Sequence, residues 1–156
     1  MLKLTKKADY GLIALKHLAV NAPASSSAKE IAETYGIPTA LVSKILQKLA
    51  KNGFLRSEHG TNGGYRLGKD ARDITALEVI RLIDGPVFLT ACFTEQGTCC
   101  HTEKCNVRDP LQKVHEGILK LLSSITIADM AVDSPEDDSA KRPEPLYGVA
   151  LTPTAI

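Results

Sequence analysis

Residues 27–51, SAKEIAETYGIPTALVSKILQKLAK, decide the fold. Ser27 and Glu30 have the spacing of a capping box, in which each side chain satisfies a free backbone N–H at a helix start. The spacing predicts a short helix ending near Tyr35. Gly36-Ile37-Pro38 then turns the chain, and a second helix runs from about Pro38 to Lys51, closed by Asn52-Gly53. Two helices joined by a tight glycine turn form a helix-turn-helix, whose second helix enters the major groove of DNA. The faces of that helix divide accordingly. Leu41, Ile45 and Leu49 recur at core spacing, helped by Val42 and Leu46. Thr39, Ala40, Ser43, Lys44, Gln47, Lys48 and Lys51 fall on the other side. Short polar side chains near the helix start reach base edges, and lysines farther along reach phosphates.

Upstream, Ala8, Gly11/Leu12, Leu15 and Leu18/Ala19 keep the 3.6-residue period of another helix, broken by the stretch from Asn21 to Ser27. Downstream, Phe54–Glu58 and Tyr65–Leu67 flank His59-Gly60-Thr61-Asn62-Gly63-Gly64, a hairpin with turn chemistry. As a wing it would carry His59, Thr61 and Asn62 at its tip, beside the DNA backbone or minor groove. Its three glycines permit positive φ and close approach. A short helix follows around Thr75–Ile83. Asp109-Pro110 reads as the start of a further helix, with Asp109 as its N-cap. There Leu111, Val114, Ile118, Leu121 and Ile125 step by three and four, making a two-heptad seam.

Charge supports the partition. The 156-residue chain is 44% hydrophobic and 24% charged, the composition of a globular protein, with a net charge of +1. Residues 1–69 carry +7, whereas residues 70–130 and 131–156 carry −3 each. A basic front half on a near-neutral chain points to an anionic partner, nucleic acid first. No apolar run approaches a membrane span, and the start lacks a secretory core, so the reading is a cytoplasmic protein with no membrane partner. Gly63-Gly64-Tyr65-Arg66-Leu67-Gly68-Lys69-Asp70 imitates a phosphate-binding loop. Asp70 stands where a hydroxyl should hold magnesium, and a hairpin precedes it, so the likeness is rejected. No familiar catalytic framework occurs, and the expectation is that the chain is not an enzyme.

All four cysteines lie between Cys92 and Cys105, as Cys92-x₆-Cys99-Cys100-His101-x₃-Cys105. In a cytoplasmic protein such a group reads as metal-binding or redox-active before it reads as disulfide-bonded. Thiolates suit iron–sulfur clusters and zinc. Zinc favours tighter CxxC-like spacing, and the wider spacing here fits an iron–sulfur cluster held at the surface. Zinc, a thiol-based redox sensor and ordinary thiols stay open on these residues alone, so a zinc- or thiol-based redox-sensing DNA-binding regulator is the alternative reading.

Four pieces together carry a resemblance. They are Lys3-Leu4-Thr5 through Tyr10; Leu49-Ala50-Lys51-Asn52-Gly53-Phe54-Leu55; Gly60-Thr61-Asn62-Gly63-Gly64-Tyr65-Arg66-Leu67; and the cysteine loop before a long helix. Over about residues 1–130 the chain resembles the winged-helix regulators that include IscR, NsrR and RirA. The stretches Ile83–Cys92, Cys105–Arg108 and Ile125–Met130 are most similar to the subgroup regulating SUF iron–sulfur assembly genes. The resemblance implies a mainly α fold, an N-terminal winged helix-turn-helix with a long C-terminal dimerisation helix. The divisions are 1–85 for the winged domain, 86–108 for the cluster loop, 109–130 for the dimerisation helix and 131–156 for a disordered acidic, proline-containing tail.

It further implies a homodimer on a two-fold operator in double-stranded DNA, acting as a repressor. It implies an iron–sulfur cluster, 2Fe-2S or 4Fe-4S, on Cys92, Cys99 and Cys105, with Cys100 less favoured. IscR-like members take a fourth ligand from a His three residues after the last cysteine, where this chain has Arg108, which cannot ligate. NsrR-like members use an acid near the partner subunit's N-terminus, which here is Asp9. Cys100 and His101 are its rivals. Asp9 has a plainer role too, as a first-turn acid complementing the helix dipole.

Overall fold

The computed structural model describes residues 4–60, 63–93 and 104–132. Helix α1 (Lys6–Val20) begins at Thr5, whose side chain accepts the N–H of Ala8. Helix α2 (Ala28–Tyr35) starts with the expected Ser27/Glu30 capping box and stops at Gly36, left-handed at φ 64°. Helix α3 (Thr39–Lys51) follows directly. Strands β1 (Leu55–Glu58) and β2 (Gly64–Leu67) pair antiparallel, Leu55 opposite Leu67 and Glu58 opposite Gly64. Helix α4 (Ala76–Asp84) carries a second capping box, Thr75/Glu78. Short 3₁₀ turns at Ala71–Asp73 and Ala91–Phe93 flank it.

One core binds α1, α2, α3 and α4. Leu15, Leu18, Ile31, Val42, Leu46, Leu49, Ile74 and Val79 are fully buried in it. The apolar period read along α3 is the period that is buried: Val42, Ile45, Leu46 and Leu49 face inward, with Leu41 packed at the margin. The wing is tied down by a backbone bridge. Ser26 N–H donates to Tyr65 O at 3.0 Å, and Tyr65 N–H donates to Ser26 O at 2.9 Å. Gly64 makes this approach possible, because a Cβ there would stand 2.8 Å from the Ser26 carbonyl carbon and oxygen. Of the three wing glycines only Gly60 has positive φ; Gly63 and Gly64 serve close approach alone.

Two expectations for the C-terminal helix need correction. It begins at Arg108, after Val107, and Asp109 lies in its first turn without capping it. It also does not run through 109–130. Helix α5 (Arg108–Ser124) ends where Ser123 and Ser124 turn their hydroxyls onto Lys120 O and Leu121 O, at 2.8 and 2.9 Å. Such bonds give the backbone an alternative to the helix. Ile125 is extended, and a third capping box, Thr126/Asp129, starts α6 (Ile127–Ala131). The extended residues bridge to the start of α4: Ala76 N–H donates to Ile125 O and Ile127 N–H donates to Ile74 O, both at 2.9 Å. Ile127 is thereby fully buried, a contribution of about 1.5–3 kcal/mol. Ile125 accordingly leaves the seam, and the chain returns to pack α6 against α1.

No helix among the described residues is long and apolar enough to cross a membrane. The tail from residue 133 onward lies outside the described residues.

Candidate DNA interface and cysteine loop

Helix α3 presents Thr39, Ala40, Lys44, Gln47 and Lys48 to solvent, with Ser43 half-buried among them. Pro38 precedes it with no side-chain cap. Leu41 N–H donates to Pro38 O at 2.9 Å, so the amides of exposed Thr39 and Ala40 are the ones left for an anion. Lys44 is exposed on this face. Lys48, expected to reach a phosphate, is turned the other way: its Nζ donates to Ile83 O on α4 at 3.2 Å.

The wing adds exposed His59 and Arg56. Arg66 is paired with Glu58 at 2.8 Å, and the Lys69 ammonium rests 4.6 Å from the centre of the Phe54 ring. Thr61 and Asn62, expected at the tip, lie outside the described residues. Beneath the wing is a polar group that the sequence reading passed over. His17, only 9% exposed, bonds Ser26 Oγ through Nε2 at 3.2 Å and Tyr35 Oη through Nδ1 at 3.3 Å. It ties α1 to the bridge that anchors β2 and to the last residue of α2. Its place on the α1 face that carries Ala14, Leu15 and Leu18, unlike exposed Lys16 beside it, was the available signal.

Cys92 lies in the 3₁₀ turn after α4, and Cys105 lies just before α5. Both are free and half-buried. Phe88 and Phe93 both stack against His115 of α5, at 6.5 and 5.3 Å between ring centres. This seats the beginning of the loop on that helix. Cys99, Cys100 and His101 lie outside the described residues. Asp9 is exposed in the first turn of α1. Among the described residues no three His, Cys, Asp or Glu side chains are grouped to hold a metal. Arg108 opens α5. The donor chemistry nevertheless fits a thiolate-bound cluster: two free sulfurs frame the loop, and the buried hydroxyl of Thr90, two residues before Cys92, has no hydrogen-bond partner among the described residues. A hydroxyl is a suitable donor to sulfur.

Helix α5 buries none of its residues fully and leaves Val114 and Leu121, with Val107 just before it, more than half exposed. An apolar cleft of about 480 Å³ runs alongside, between Leu4 and Ile80, Val87 and Phe88, and Ile118 and Leu122. Of the seam positions read from the heptad spacing, Ile118 and Leu121 line this cleft, and Val114, one turn earlier, is exposed.

Comparison with known proteins gives a consistent answer. A family model described as Rrf2, iron-dependent transcriptional regulator, matches residues 4–133. The chain is 31% identical over 137 residues to Protein aau3 of Rhizobium meliloti, covering 86% of this chain and 88% of that one. Its structure is similar to that of CymR, the global cysteine regulator of B. subtilis, with a TM-score of 0.74 and 28% identity over 84% of this chain and 97% of the other. It is also similar to T. potens IscR, with a TM-score of 0.66 and 28% identity over 94% of each chain. The outward face of α3, the bridged wing and the family model spanning nearly all the described residues lead to one conclusion: the chain belongs to the Rrf2 family of DNA-binding transcriptional regulators.

Proposed function

We propose that this chain is a homodimeric repressor of iron–sulfur assembly genes of the SUF type, and that its grip on DNA depends on an iron–sulfur cluster. Thr39, Ala40, Ser43 and Gln47 read base edges, Lys44 meets a phosphate, and His59, Thr61 and Asn62 follow the backbone beside the wing. Two winged domains face half-sites about 34–36 Å apart. Val114, Ile118 and Leu121 meet their counterparts in the second copy. Cys92, Cys99 and Cys105 hold the cluster, and Asp9 of the partner subunit completes the ligand set. The cluster supplies a group that forms only when iron and sulfide are at hand and is lost to oxidants. The protein's part is to place those thiols between the winged domain and the dimer helix, so that their spacing bears on the separation of the two α3 helices.

The observation that carries this reading is the seating of the loop. Free Cys92 and Cys105 stand at its two ends, with Phe88 and Phe93 stacked against His115 on α5. The likeness to T. potens IscR supports it. The test is purification without oxygen, followed by an absorption spectrum and iron and sulfide counts. Brown protein with two or four irons and matching sulfide is expected. Cys92→Ala should abolish the colour, and Cys100→Ala should largely spare it. Colourless protein with stoichiometric zinc refutes the cluster. A second reading, in which the thiols themselves sense oxidants, draws on the free Cys92 and Cys105 and on the likeness to the B. subtilis global cysteine regulator. It requires neither iron nor sulfide, so the same counts separate the two.

A further inference from the structure

The corner Ile83-Asp84 is where four parts of the molecule meet. The Ile83 side chain fills the place a Cβ would take at Gly11, so it lies against the middle of α1. The Asp84 carboxylate accepts two bonds from Thr5, at the start of α1. The Ile83 carbonyl, one of the last of α4 and without a helical donor of its own, accepts from Lys48 Nζ. A lysine there also meets the negative end of the helix dipole. Gly85, at φ 91°, then turns the chain into Pro86–Phe88, which line the cleft against α5 and lead to Cys92.

From this convergence we infer that Lys48 is a positioning residue: it couples the DNA-reading helix to the cysteine loop through the Ile83 carbonyl, and it is not a phosphate contact. Binding free energies couple reciprocally. Through this coupling DNA engaging α3 alters the loop, and a change in the loop alters α3 to the same degree. The inference rests on α3 being the helix that docks in DNA. It does not need the cluster, because the Lys48–Ile83 bond belongs to the chain alone.

The test uses the full chain stripped of metal, with a DNA duplex that the protein itself selects from a random library. Alkylation of Cys92 and Cys105 by iodoacetamide is followed by mass spectrometry, with and without saturating duplex. In the unaltered protein the duplex should change the rates by about fivefold or more, the lower end of ordinary coupling. Lys48→Met should lose that change. Lys48→Arg, which still donates to a carbonyl, should keep it. A change that persists in Lys48→Met overturns the inference, and so does a duplex without effect on the unaltered protein. A fall of about 0.9 per protomer in the salt slope of Lys48→Met, about 1.8 for the dimer and the mark of lost phosphate contacts, overturns it as well. Comparing duplex affinity of cluster-loaded and stripped protein decides the cluster reading separately.

Discussion

Thr5 and Asp84, 79 residues apart in sequence, close the start of α1 onto the end of α4. The Thr5 backbone N–H donates to Asp84 Oδ2 at 3.1 Å and its hydroxyl donates to Oδ1 at 2.5 Å. The same hydroxyl accepts the Ala8 N–H. One side chain thus caps a helix and fastens it to the segment that leads to Cys92.

Asp84→Ala should cost about 1–2 kcal/mol in chemical denaturation, since it removes two charge-assisted bonds at a helix cap. Asp84→Asn, which retains acceptor capacity, should lose less. Equal stability of Asp84→Ala and the parent protein would show that the contact does not hold the helix ends together.

Two glycines should respond unequally to alanine. At Gly64 a new Cβ meets the Ser26 backbone, which cannot yield without breaking the bridge to the wing, so Gly64→Ala should cost about 1–3 kcal/mol. At Gly11 it is in ordinary contact with Ile45 and Val79 and overlaps the end of the Ile83 side chain, which must swing aside; alanine favours helix by about 1 kcal/mol, so Gly11→Ala should cost less than Gly64→Ala. Thermal melts of the two variants measured side by side check the contrast.

The Asp129 carboxyl is held below its ordinary value of 3.8 by the Thr126 side-chain hydroxyl and then by the Thr126 backbone N–H. A depressed native value means that the unfolded chain takes up the proton first as pH falls. The contribution is whole above the unfolded value and disappears as pH drops through the lower native one. The protection factors of the α6 amides, which remove the intrinsic slowing of exchange in acid, should therefore fall on acidification below about pH 4, and Asp129→Asn should flatten that response.

The seam on α5 separates association from folding. Leu121 is 61% exposed in the single chain, so Leu121→Glu should leave stability within about 0.5 kcal/mol while shifting sedimentation from dimer to monomer. Ile127→Ala, by contrast, should cost about 2–5 kcal/mol, because that side chain is fully buried. A Leu121→Glu protein that sediments unchanged would place the dimer contact elsewhere.

What the sequence disclosed follows from how local each signal is. Ser27/Glu30, Gly36 and the period of Val42, Ile45, Leu46 and Leu49 act within a few residues, and the helix-turn-helix they specify is present as read. The outward face of α3 followed from the same period. The break at Ile125 was missed because Ile125 continues the heptad step, although Thr126 and Asp129 carry the capping-box spacing used elsewhere. His17 with Ser26 and Tyr35, Lys48 with Ile83, and Thr5 with Asp84 join residues far apart along the chain. No pattern in one sequence fixes such pairs, because they arise from tertiary packing.

The most direct measurement is the affinity of a selected DNA duplex for cluster-loaded and metal-stripped protein, at one fixed salt concentration and without oxygen. A difference of about a hundredfold, near 2.7 kcal/mol of coupling, is the result expected if the cysteine loop governs the DNA-reading helices. Equal affinities for the two forms would contradict the account.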